Sequence, residues 1–324
     1  MTSSARVSFR HRLEAFLLRA LSGFFCLLPH RLAVRTGGGL GWLVSRVAPI
    51  RSKVADENLR RAFPLMGEAE RRDILDRFYR HLGRMLAEFL RSPALDAARI
   101  VEWTNPEGEE HLKAAAAEGR GVVMISGHLG NWEWLVASAA ARGYALDVIV
   151  APQKNIAVQD FITRCRAGVG VGVLYSKRGR GELLEAGRRL RKGHLLGTLV
   201  DQDAGRRGWF VDFLGSPASA AVGTFRMALA ARAPVVCVFT WREGFRHHVV
   251  AEPALVRDPT LDDEAQAREW AAEFHRRLEA RIRAHPEQWF WVHRRWRSRP
   301  ANEAAPVVPG PGRAMVAPDP GSAA

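Results

Sequence analysis

The residues best equipped for chemistry lie in the stretch Gly-Val-Val-Met-Ile-Ser-Gly-His-Leu-Gly-Asn-Trp-Glu, residues 121 to 133. An imidazole at a turn can take a proton from a hydroxyl near neutral pH. A carboxylate that reaches its second ring nitrogen fixes the tautomer and stabilises the imidazolium that forms. His128 and, five residues on, Glu133 are candidates for those two roles. Spacing alone is weak evidence: about one such pair is expected by chance, and His247 and Glu252 repeat the separation. Context separates the two pairs. His247 lies in Phe245-Arg246-His247-His248-Val249, which alternates like an exposed or edge strand and has no turn after it. Residues five apart on a helix point about 140° apart, so such a pair meets only across a turn. Gly127 and Gly130 supply that turn at His128.

A second cluster, Asp201-Gln202-Asp203-Ala204-Gly205-Arg206-Arg207, follows an apolar run. Two carboxylates at a strand end beside a flexible glycine suit a divalent metal or a polar substrate. The adjacent arginines oppose a bare cation site and favour a hydroxylated or phosphorylated headgroup. A solvated Asp/Gly turn is the plain alternative. Lys154, Arg164 and Arg166 are candidates to meet a phosphate or a developing oxyanion near His128. No Gly-x-x-x-x-Gly-Lys-Ser/Thr loop and no Gly-x-Ser-x-Gly elbow occurs, so nucleotide and serine hydrolysis are unsupported.

The elements that must hold these residues alternate in type. Strands are expected at 122–126, 146–151, 171–175, 195–201, 234–240 and near 246–251. Helices are expected at 109–118, 131–142, 158–167, 181–192, 221–232 and 262–285. This order predicts an α/β fold, a mostly parallel central sheet flanked by helices on both faces. His128 and Asp201 then fall beyond the C-terminal strand ends, where ligands gather in such sheets.

Ahead of the sheet the chain reads as helical. Leu13 to Leu28 is strongly apolar but interrupted by Glu14 and Arg19, and its longest uncharged run is shorter than the ~20 residues a spanning helix needs. An uncleaved helix lying in the membrane interface, flanked by arginines, is the expectation. Glu68 to Leu90 carries one apolar face. Three regions result: a helical membrane-associating region at 1–98, an α/β core at 99–300, and an Ala/Pro/Gly-rich disordered tail at 301–324.

The 324 residues are 47% hydrophobic and 25% charged, the make-up of a folded protein. A net charge of +14 points to an anionic partner: nucleic acid, anionic lipid or an acidic carrier protein. Three scattered cysteines form no disulfide or zinc pattern, which suits a reducing compartment. Near the end, Trp289, Trp291 and Trp296 interleave with arginines, a composition that fits nucleic-acid stacking, a membrane interface or tryptophans packed under the sheet.

Taken together, several blocks in order resemble the lipid A biosynthesis acyltransferases, a branch of the lysophospholipid acyltransferase superfamily. The blocks are the apolar N-terminus, Asn58-Leu59 before Ala62-Phe63-Pro64, the run from His128 to Glu133, Asp201-Gln202-Asp203 with Gly205, and Pro286-Glu287-Gln288-Trp289 through Trp296. The resemblance implies transfer of a fatty acyl group from an acyl carrier protein or acyl-CoA thioester to a hydroxyl of a lipid A precursor. It implies His128 as general base, Glu133 as the residue orienting it, and an arginine that is Arg164 or Arg166. Gly130, Asn131, Trp132, Lys154, Asp201, Asp203 and Gly205 join these arginines as expected substrate contacts. No cofactor, metal or nucleic acid is implied, and the expected place is the cytoplasmic face of the cell inner membrane. A related branch that acylates phosphatidylinositol mannosides gives an alternative acceptor. A non-enzymatic basic protein binding membrane or RNA through residues 289–299 is the rival class; it leaves the His128 turn unexplained.

Overall fold

A computed structural model describes residues 9–176, 180–206 and 208–300, so the tail expected at 301–324 and Arg207 lie outside the described residues. Among the described residues five α-helices come first: α1 (Phe9–Leu27), α2 (His30–Val47), α3 (Ser52–Ala62), α4 (Glu68–Leu90) and the short α5 (Ala97–Glu102). α2 and α4 cross with backbone against backbone. A Cβ on Gly41 would fall 2.1 Å from the Tyr79 carbonyl oxygen, and one on Gly83 would fall 2.2 Å from that of Gly37. Glycine costs a helix interior about 1 kcal/mol relative to alanine, and here the close crossing offsets that cost.

Then come β1 (Thr104–Glu107), α6 (Glu109–Ala117), β2 (Val122–Ser126), α7 (Trp132–Ala141), β3 (Leu146–Val150), α8 (Ile156–Gly168), β4 (Val171–Tyr175), α9 (Arg180–Arg191) and β5 (Leu195–Leu199). A hairpin of β6 (Trp209–Phe213) and β7 (Ser216–Ala220) leads to α10 (Gly223–Ala231), β8 (Val235–Glu243), β9 (Arg246–Ala251) and α11 (Asp263–Ala284). The seven-stranded sheet runs β1-β9-β8-β2-β5-β3-β4, with β6 and β7 forming a separate pair. Every pairing in the large sheet is parallel except β8 with β9.

Strand alternation divides the core into two layers. Val123, Ile125, Val235 and Cys237 join a cluster with α9, α10 and α11 on one face. Val122, Met124, Val236 and Val238 join α6 and α7 on the other. Both faces are covered, so the strands are apolar on both sides, as parallel sheets require.

One expectation is corrected here, and one reading left open by the sequence is decided. β9 lies between β1 and β8, and His247 on it is fully buried, so this stretch is not an edge, and Arg246 alone in it is exposed. Trp289, Trp291 and Trp296 are at most 5% exposed and sit in the large core cluster, which takes them off any nucleic-acid or lipid surface. Asn58 on α3 fastens that segment, its Nδ2 donating to the carbonyls of Trp291 (2.7 Å) and His293 (2.6 Å).

α1 and α2 leave apolar side chains in the open, among them Phe9, Phe16, Leu17, Phe24, Leu27 and Val47. Among the described residues no helix is long and apolar enough to cross a membrane.

Candidate active site

Strand register assembles the site. Ser126 pairs with Leu199 at the parallel ends of β2 and β5. Two residues beyond each, His128 and Asp201 face one another. The His128 backbone N–H donates to Asp201 Oδ2 at 2.8 Å, and His128 Nδ1 meets Asp201 Oδ1 at 2.6 Å. Trp289 Nε1 donates to the same Oδ2 at 2.8 Å. Asp201 is buried, which pushes its carboxyl up. The charge and hydrogen bonds of His128, with the Trp289 bond, outweigh burial and hold it below the usual carboxylate range. An ionised Asp201 places the ring proton on Nδ1 and leaves the Nε2 lone pair available. The Gln202 side-chain amide lies 3.2 Å from Nε2. The imidazole stands edge-to-face with Trp132 at 4.9 Å and beside Phe290 at 5.8 Å.

The geometry does not bring the expected pair, Glu133 and His128, together through the ring. Nδ1 is taken by Asp201, while the Glu133 carboxylate is held bidentately by Arg166, with bonds of 2.7 and 3.0 Å. The turn at Gly127–Gly130 carries Glu133 onto the first turn of α7, toward α8. Both members of the Glu133–Arg166 pair are 16% exposed, and the neighbouring carboxylate outweighs burial to raise the Arg166 guanidinium.

His128, Trp132, Glu133, Arg166 and Gln202 line one cavity of about 420 Å³. That volume lies within the ~300–1,000 Å³ of small-molecule sites. Its walls are largely apolar, with Met124, Val136, Val148, Ile162 and Leu199 among them, and a Cβ on the lining Gly197 would fall 3.3 Å from Met124 Cε.

The other candidates divide by position. Arg166 lines the cavity; Arg164, two residues away on α8, is 77% exposed and pairs with Asp160. Lys154 is exposed in the loop before α8 and is not among the lining residues. Asp203 is not a cavity residue either. Its carboxylate accepts from Ser298 N (3.3 Å), Ser298 Oγ (3.1 Å) and Arg297 (3.2 Å), so it staples the C-terminal segment. Gly205 turns the chain at φ +79°, and its carbonyl accepts from Ser219 Oγ.

Gly130 and Asn131 build the turn without lining the cavity. Gly130 has φ +61°, and a Cβ there would fall 2.2 Å from the Thr240 carbonyl oxygen, so only glycine fits. Its N–H donates to the Gln288 carbonyl at 2.9 Å. Asn131 caps α7, its Oδ1 accepting from Trp134 N at 3.0 Å, and it is buried. Gln202 and Trp289 were not singled out for the site by their spacing. The usable signal for Gln202 was its place between two carboxylates at a strand end.

The family model for bacterial lipid A biosynthesis acyltransferases matches residues 3–298. The chain is 28% identical to the lipid A biosynthesis lauroyltransferase of Escherichia coli K12, covering 84% of this chain and 88% of the relative. It is likewise 28% identical to the lipid A biosynthesis palmitoleoyltransferase of the same organism, over 86% and 89%. A phosphatidylinositol mannoside acyltransferase of Mycobacterium tuberculosis is 29% identical over 66% of this chain and 67% of the relative.

Proposed function

Because the chain belongs to the bacterial lipid A biosynthesis acyltransferase family, we propose that it moves a fatty acyl chain from a carrier-protein thioester to a hydroxyl of a lipid A precursor. The observation that carries this reading is His128 in the wall of a largely apolar cavity, backed from behind by the buried Asp201. In this reading the acyl chain occupies the cavity. His128 Nε2 takes the acceptor hydroxyl's proton as its oxygen attacks the thioester carbonyl. Asp201 stabilises the imidazolium, which returns the proton to the departing thiolate. Arg166, set by Glu133, supplies positive charge beside the developing oxyanion. The acceptor oxygen is the nucleophile, so no acyl-enzyme forms.

The lipid A relatives cover more of this chain than the mannoside relative does, which favours lipid A precursor as acceptor. The exposed apolar side chains of α1 and α2, with the exposed Arg10, Arg12, Arg19 and Arg46 among them, dock the protein on the cytoplasmic face of the inner membrane. The test mixes purified protein and lipid A precursor with labelled acyl carrier protein thioester, or with acyl-CoA in a parallel arm. Labelled acyl lipid is the expected product. Free fatty acid alone would make the protein a thioesterase, and no turnover with either donor would reject the reading.

A further inference from the structure

α4 presents His81 and Glu88, seven residues or about two turns apart, to the turn that carries His128. His81 Nε2 donates to the Gly130 carbonyl at 3.0 Å. Glu88 is buried, yet polar groups converge on it. Arg242, also buried, pairs with it, and His247 Nε2 lies 3.1 Å from Oε1. Asn131 Nδ2 donates to Oε2 at 2.8 Å. Burial pushes the Glu88 carboxyl up, but Arg242 and His247 pull it down further, and it stays ionised. Burial holds His247 down at about 4 and lowers His30, so one anion and one cation face each other among neutral rings.

None of Glu88, Arg242, His247 and Asn131 lines the cavity, and the proposed chemistry uses none of them. Stability does not explain the pair, since a buried ion pair is often no more stable than apolar residues of the same volume. What an apolar pair cannot do is accept the Asn131 amide. With its Nδ2 committed to Glu88, Asn131 must turn Oδ1 to the Trp134 N–H. The flipped amide would set oxygen against carboxylate and leave the first turn of α7 uncapped. His128 precedes Asn131 by three residues; Trp132 and Glu133 follow it.

We infer that Glu88, paired with Arg242, is a positioning residue: its carboxylate locks the Asn131 amide and so fixes the turn that sets His128 and Glu133 in the cavity wall. This rests on the reading of His128 as the base. The test compares two double variants that both remove the ion pair, Glu88→Gln with Arg242→Met and Glu88→Leu with Arg242→Met. Only glutamine keeps an acceptor for Asn131. The leucine pair is expected to lose about 10²-fold in kcat with donor KM within about threefold, at a melting temperature close to that of the glutamine pair. The glutamine pair recovers most of kcat. Equal kcat in the two, or a loss confined to KM, overturns the proposal. If the leucine pair does not fold, Asn131→Asp serves. It keeps a capping oxygen but turns a second oxygen toward Glu88, and unchanged kcat there overturns the proposal. His128→Ala runs beside them. If it keeps transferring, the reading of the base fails and this inference with it. If it is inactive while the two double variants match, only the role of Glu88 fails.

Discussion

Asp201 accepts two hydrogen bonds from His128, one from the ring and one from the backbone N–H, and so fixes both the imidazole and the turn beneath it. Asparagine cannot accept at both positions, because its amide end would face one of the two donors. Asp201→Asn should therefore lose about 10²–10⁴-fold in kcat, as should His128→Ala, and the double variant should be little worse than either alone. Additive losses in steady-state transfer would show that the two act separately.

The two bonds between Glu133 and Arg166 need the planar guanidinium fork. Arg166→Lys should cost about tenfold or more in kcat/KM, Glu133→Gln should do the same, and Arg164→Ala should stay within about twofold. An Arg164→Ala loss matching that of Arg166→Lys would refute the assignment.

Leu17 and Phe24 are 57% and 46% exposed on α1. Replacing both with Glu should leave the melting temperature near wild type and abolish sedimentation with vesicles containing anionic lipid. Undiminished sedimentation would remove α1 as the docking element.

Asp203 is tied to Arg297 and Ser298, and Asp201 to His128 and Trp289, which leaves neither carboxylate open to a cation. Asp203→Asn should lower the melting temperature and leave KM alone, and EDTA should leave wild-type transfer intact. Activity lost to chelator and restored by Mg²⁺ or Mn²⁺ would reverse this.

His275 is fully buried, with Nδ1 2.7 Å from the Ala271 carbonyl and Nε2 3.0 Å from Arg295, a pattern only the neutral ring satisfies. Burial first, then Arg295, holds its pKa down to about 3. As pH falls from the unfolded value near 6.5, the unfolded chain takes the proton first. The stabilisation is thus full above pH ~6.5 and is lost toward pH 3, at about 1.4 kcal/mol per unit. His275→Gln should flatten the fall of melting temperature between pH 6.5 and 4.5. Parallel curves would exclude this proton.

Much of the sheet was legible because its strands are unbroken apolar runs between glycines and charges. β2 and β4 begin and end where expected, and the limits of α6 to α11 moved by only a residue or two, whereas α1 begins four residues before the expected Leu13. β1 was missed because its four residues include Asn105 and Pro106, which fit a strand only at the sheet edge that β1 occupies. The β6–β7 hairpin was missed because Leu214 takes φ +53° in its two-residue turn, where Asn or Gly would be the usual sign. The partner of His128 was hidden for a different reason. Asp201 lies 73 residues away, and only the adjacency of β2 and β5 brings it opposite. A local pattern favours the near carboxylate, and the fold chooses the far one.

The backbone crossing of α2 and α4 also sets a limit on how far the N-terminus can be trimmed. Cutting before Pro29 removes α1 with its bonds from Ser22 to Leu90 and from Asn155 to Glu14, and keeps the glycine seam closed. Cutting into α2 would strip the cover from α4 along the length that holds His81 and Glu88. A shortened, more soluble form for assay or crystallisation should therefore begin at Pro29 and no later.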